Sequence, residues 1–218
     1  MALAFDTGTK ASGNPVTSLT WSHTITGSDP CLWVGDREDS SGAVTGVTYA
    51  GASLTQVDIV TAVFGTTDGR IWVKNAPATG ANNVVVTQTP SAQLVGTAAS
   101  YTGAAQTGQP GVTANNKSTS TTSLSVTGTT VSDNSWLVGY EINDTADPTA
   151  GAGTTLRAGT LQSGTEIGDS NSALTPTGSY SLVFDISPAA KIGAVMGEMK
   201  VAAAATRSHL MGLMGLGM

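Results

Sequence analysis

Charge is scarce in this chain. Asp, Glu, Lys and Arg make up only 11% of its 218 residues, against roughly 25% in an ordinary globular domain. The balance is acidic, with a net charge of −6 and a pI near 4.6. Such a surface repels a phosphate backbone over most of its area, so nucleic acid is not an expected partner. Cysteine is nearly missing too. Cys31 stands alone, which excludes an internal disulfide and a multi-cysteine zinc site. The two histidines, His23 and His209, share no ligand spacing. No stretch approaches the ~18 apolar residues of a membrane span. The opening residues, Met1-Ala2-Leu3-Ala4-Phe5-Asp6, lack both the basic start and the apolar run of a secretory signal. Neither a membrane nor a cofactor is expected.

What fills the place of charge is Thr, Ser, Ala and 27 Gly. These small and β-branched residues suit pleated strands and tight turns and suit long helices poorly. Period-two alternation recurs along the chain. In Ser18–Thr26, Leu19, Trp21, His23 and Ile25 point one way while Thr20, Ser22 and Thr24 point the other. Comparable runs are Cys31–Gly35, Ala43–Tyr49, Ser53–Val57, Arg70–Lys74, Asn83–Thr87 and Leu94–Tyr101. They continue with Ser123–Thr127, Ser135–Ile142, Thr154–Ala158, Tyr180–Ile186 and Ile192–Val201. Every proline falls between these runs or at their ends, where a missing N–H is tolerated. Short strands with turn signals about every dozen residues predict an all-β, two-sheet antiparallel sandwich, jelly-roll-like rather than α/β. Residues 1–201 are expected to form one sandwich domain, with a long surface loop at about 103–122.

An internal echo accompanies this pattern. Asp29-Pro30-Cys31-Leu32-Trp33-Val34-Gly35 is followed much later by Asp133-Asn134-Ser135-Trp136-Leu137-Val138-Gly139. If the echo is structural, the two strands occupy matching central positions, and Trp33 and Trp136 are packing residues.

Candidate chemistry is sparse. His23 lies on the apolar side of its strand and is expected to be packed. Cys31 opens a core strand and reads as a small buried hydrophobe rather than a reactive thiol. Neither a Gly-Lys-Ser/Thr phosphate loop nor a Gly-x-Ser-x-Gly elbow occurs, and no catalytic residues are expected. Asp36, Glu38 and Asp39 fall together in what reads as one loop, with Glu141, Asp144 and Asp147 in the echoed region. Their oxygens are the nearest approach to a calcium cage; the competing reading is a solvated acidic turn, and no metal is expected. Trp72, on Arg70–Lys74 beside Lys74, reads as an exposed ring able to stack on a sugar, or as a rim-packed one.

The C-terminus differs from everything before it. After Ala202-Ala203-Ala204-Ala205-Thr206-Arg207-Ser208-His209 the chain runs Leu210-Met211-Gly212-Leu213-Met214-Gly215-Leu216-Gly217-Met218. Residues 202–218 form an apolar strap, too short for a bilayer and without an acidic residue. Leu210, Met211, Leu213, Met214, Leu216 and Met218 are its assembly candidates, docking on their own domain or on a neighbouring subunit.

Several segments together resemble a known family. They are Val47-Thr48-Tyr49-Ala50-Gly51-Ala52-Ser53-Leu54-Thr55, Arg70-Ile71-Trp72-Val73-Lys74-Asn75-Ala76-Pro77, Gly80–Thr87 and Tyr101-Thr102-Gly103. Their order over residues 16–201 is similar to jelly-roll-like β-sandwich domains found in phage structural genes and in some bacterial surface proteins. That resemblance implies fold through turns and core strands and brings no catalytic residues with it. An adhesin-like composition without an export signal adds a second hint, since phage proteins are made in the host cytoplasm and released by lysis. The expectation is a non-enzymatic structural protein on the virion exterior, a capsid decoration or accessory protein. Its partners would be itself, as a homo-oligomer, and other virion proteins. The alternative is a tail-fibre or receptor-binding module gripping a host glycan.

Overall fold

A computed structural model describes residues 1–39, 43–145, 147–158 and 164–203. The strap candidates Leu210, Met211, Leu213, Met214, Leu216 and Met218 lie outside the described residues. All the described regular structure is strand. In chain order the strands are β1 (Ala4–Ile25), β2 (Cys31–Glu38), β3 (Ala43–Tyr49), β4 (Ala52–Ser53), β5 (Thr55–Val60), β6 (Asp68–Asn75) and β7 (Gly80–Thr102). They continue as β8 (Thr113–Thr129), β9 (Trp136–Asn143), β10 (Thr149–Ala150), β11 (Thr155–Leu156), β12 (Thr165–Asp169) and β13 (Ser179–Met199). The fold is the expected all-β, two-sheet antiparallel sandwich. One sheet runs β4-β3-β7-β2-β6-β5 with β1 also on β7; the other runs β10-β13-β9-β12-β11 with β8 also on β13.

The sheets are two versions of one plan. In the first, the long β1 lies along the whole of the long β7. The early part of β7 also pairs β3 and its later part pairs β2, which in turn pairs β6. In the second, β8 lies along β13, whose early part pairs β10 and later part pairs β9, which pairs β12. The echoed strands β2 and β9 do hold matching central places. The sequence echo is nevertheless one residue out. Gly35 faces Tyr140 of the opposite sheet, whereas Gly139 faces Leu182 within its own. Because strand side chains alternate, a slip of one residue exchanges the two faces. The matching positions are Asp36 with Glu141, and Arg70 with Glu166, each pair directly opposed across its strands.

Both faces of β2 and β9 are covered, and nearly every residue in them is buried. One face meets the other sheet. Trp33, Ile71, Val73 and Tyr101 pack with Trp136, Val138, Tyr140, Ile142 and Met199 in a shared central cluster. The opposite face of each is covered by its own sheet folding over. Leu32, Val34 and Leu94 meet Val47, Tyr49 and Val84 in the first half. Leu137, Ile192 and Met196 meet Leu124, Leu182 and Phe184 in the second.

Two sequence expectations change here. Asn83–Thr87 and Leu94–Tyr101 are one strand, as are Tyr180–Ile186 and the run from Ile192. Pro90 and Pro188 do not stop them. Near both, the pairing register shifts and the strand bends on to a new partner, as a residue without an N–H permits. The loop expected at 103–122 is also shorter, because β8 begins at Thr113. Its Asn, Ser and Thr belong to an edge strand paired on one side, where uncharged polar residues face outward.

Candidate functional site

Among the described residues there are two kinds of site: buried ionisable clusters at matching places in the two halves, and an apolar cavity where the N-terminal residues meet Val201–Ala203. The first cluster grows from β2 and β6. On the face that carries Leu32 and Val34, β2 continues with Asp36 and Glu38, and register sets Arg70 and Asp68 against them. The Arg70 guanidinium lies 3.4 Å from Asp36, 3.5 Å from Glu38 and 3.2 Å from Asp68. Trp72 Nε1 donates to Asp36 Oδ2. Burial raises the Asp36 pKa to about 6 even though Arg70 and Trp72 oppose the shift. Burial raises that of Glu38 as well.

In the second half the same place holds two acids. Glu141 and Glu166 are opposed across β9 and β12, an arrangement of like charges that is unfavourable on a sheet unless something relieves it. Burial holds Glu141 protonated well above the usual carboxylate range. Its Oε1 accepts from Asn143 Nδ2 at 2.8 Å. Burial also pushes Glu166 up to about 7, against the pull of Lys10 and of the Ala158 and Ile167 amides. The cation comes from the other half. Lys10, on β1, donates to Thr165 O at 2.6 Å and lies 3.9 Å from Glu166. Beside it, Arg157 forms a two-pronged pair with Asp169 at 2.7 and 2.9 Å and stacks over Phe5 of β1. Chemically, these groups tie sheet to sheet. Paired carboxylates are a familiar catalytic device, but Glu141 has no exposed surface and Glu166 is 7% exposed, so neither meets a substrate-sized opening.

The cavity has about 520 Å³ and is lined by Met1, Leu3, Asn134, Trp136, Val201 and Ala203, among others. It forms because the two halves end side by side. Ala104 bridges Val201, and the Ala202 amide donates to Gly103 O at 2.8 Å. No lining residue has a charged side chain, and Asn134 is the one polar side chain among them. Such a cavity fits an apolar chain or an apolar ligand.

The residues singled out from sequence divide clearly. Asp36 and Glu38 are not in a loop; they are on β2, buried and paired to Arg70. Asp39 turns away to Arg37, 3.0 Å distant. The three therefore do not converge as a calcium cage, and among the described residues no group of three or more acidic, His or Cys side chains is placed to hold a metal. Trp72 is 7% exposed, not the open stacking platform that the glycan reading needed. The β2–β6 register turns it inward beside Val34 and on to Asp36. His23 is buried as expected, with Nδ1 2.7 Å from Thr9 Oγ1, and burial lowers its pKa to about 4. Cys31 is buried, and burial lifts its thiol pKa to about 12. Sequence reasoning missed Lys10 and Glu166. The sequence shows charges inside strand-forming runs, and a buried charge requires a partner, but it does not name the partner.

Compared with protein-family models, with curated proteins and with solved structures, the chain matches none.

Proposed function

We propose that this protein is a non-enzymatic structural component of a phage particle, carried on the exterior as a capsid decoration or accessory protein. It would assemble with copies of itself and with other virion proteins. The single observation that carries the reading is the largely apolar cavity where the N-terminal residues meet Val201–Ala203, just ahead of the apolar C-terminal sequence. A cavity of this kind, with Met1 66% exposed at its rim, calls for a partner surface. Two further features support an assembly role. Lys10 with Glu166, and Arg157 over Phe5, lock one sheet on the other. The edge strand β8 presents Ser123, Ser125, Thr127 and Thr129 outward without charge, leaving it open to contact with another molecule. The resemblance to phage β-sandwich domains supplies the particle. Peptide mass spectrometry of gradient-purified particles from the source of this sequence tests the reading. The chain is expected in the particle band at a fixed ratio to the major capsid protein; its recovery only from the soluble lysate would overturn the proposal.

A further inference from the structure

The terminal cavity and the strap have matching chemistry. Leu210–Met218 is nine residues without a charged side chain, in which Leu and Met alternate with Gly212, Gly215 and Gly217. Unbranched Met adapts to irregular apolar walls, and glycines allow close backbone approach. The cavity's apolar walls are Met1, Leu3, Trp136 and Val201. Its volume of about 520 Å³ falls within the ~300–1,000 Å³ of pockets that enclose a bound ligand.

The place where the strap begins decides whose cavity it fills. Val201, Ala202 and Ala203 are themselves part of the cavity wall. To return to that wall, the chain must reverse within Ala204-Ala205-Thr206-Arg207-Ser208-His209. That segment contains no Gly, Pro, Asn or Asp, and its turn-favouring side chains are only the weaker Thr206 and Ser208. Running onward instead, six residues reach about 20 Å, far enough to meet a neighbour. We infer that Leu210–Met218 of one copy fills the terminal cavity of a second copy. This occupant deepens the assembly reading given above and rests on it. Because the strap leaves from the rim of the cavity it would fill in its partner, the exchange is reciprocal. Two copies then close on a two-fold axis, each donating a strap and each receiving one.

The full-length chain provides the test. One variant carries Ala173→Cys at the exposed cavity rim, a second carries Met214→Cys, and a third carries both; buried Cys31 stays in all of them. Mixing the two single variants under mild oxidation is expected to give a disulfide-linked species of twice the 21.8 kDa chain mass. The light-scattering mass of the unmodified protein should also be that of a dimer. Leu213→Asp should weaken the dimer at least tenfold while leaving the thermal transition of the monomer in place. A cross-link that forms only inside single copies of the double variant would overturn the inference in favour of self-docking. A monomer with no cross-link in any mixture would overturn it outright. These outcomes are read on the isolated protein, so they are independent of whether the chain is recovered from particles.

Discussion

At the scale of single residues, one tight requirement lies between the sheets at Gly35. A Cβ placed there would stand 2.1 Å from Tyr140 Cδ2, far inside contact distance, and both residues are fixed by buried strands. Gly35→Ala should therefore force the sheets apart and cost about 1–3 kcal/mol. Gly46→Ala is the control, because its nearest new neighbour is 3.9 Å away. Urea unfolding of the two variants should separate them clearly, and equal stabilities would count against this packing. Glu166 makes a second demand, read through pH. Its folded pKa, about 7, lies above the ordinary 4.5, so the folded state binds the extra proton. The stability this contributes is complete below about 4.5 and is lost as pH rises through 7. The protein should lose stability from about pH 5 to 7, and Glu166→Gln should flatten that fall. Melting temperatures across the window check it; an unchanged slope would assign the titration elsewhere. Neither requirement was legible in the sequence. Lys10 and Thr165 are 155 positions apart, and local periodicity carries no record of so distant a partner.

At the scale of elements, alternation exposed most of the strands, and β3 matches its expected bounds, Ala43–Tyr49. The same alternation hid how strands join. Pro90 and Pro188 read as stops, but a bend with a register shift lets β7 and β13 continue through them. Alternation also said little of β8, whose large apolar residues Leu124 and Val126 occupy only its later part while mainly Ser, Thr and Asn fill the rest. The loops are held by a device of equal interest. The Glu198 carboxylate, wholly buried on β13, accepts the backbone N–H groups of Val112, Val131 and Ser132 at 3.1, 3.0 and 2.9 Å. One side chain thus fixes both ends of β8. Glu198→Ala strands three donors and should cost at least ~2 kcal/mol. Hydrogen exchange should show it as lost protection at those three amides, with the central strands β2 and β9 less affected. Uniform loss across the molecule would mean that Glu198 acts on the whole fold rather than on these loops.

At the scale of the whole molecule, two halves of one plan share a central cluster and keep separate outer ones. The sequence showed the plan faintly, in the Asp-led echo, and placed it one residue off because glycine and tryptophan spacing carries no information about facing. The matched polar position shows how the halves diverged. Asp36–Arg70 is neutralised within its own sheet, whereas Glu141–Glu166 depends on Lys10 from the other. That dependence makes the halves one body, with the apolar cavity at the end where they meet. In the proposed role this body is part of a virion exterior. Electron microscopy of intact particles, labelled with antibody raised against the chain, tests it most directly. Regular labelling over the particle surface is expected. Bare intact particles, with an antibody that binds the free protein, would contradict it.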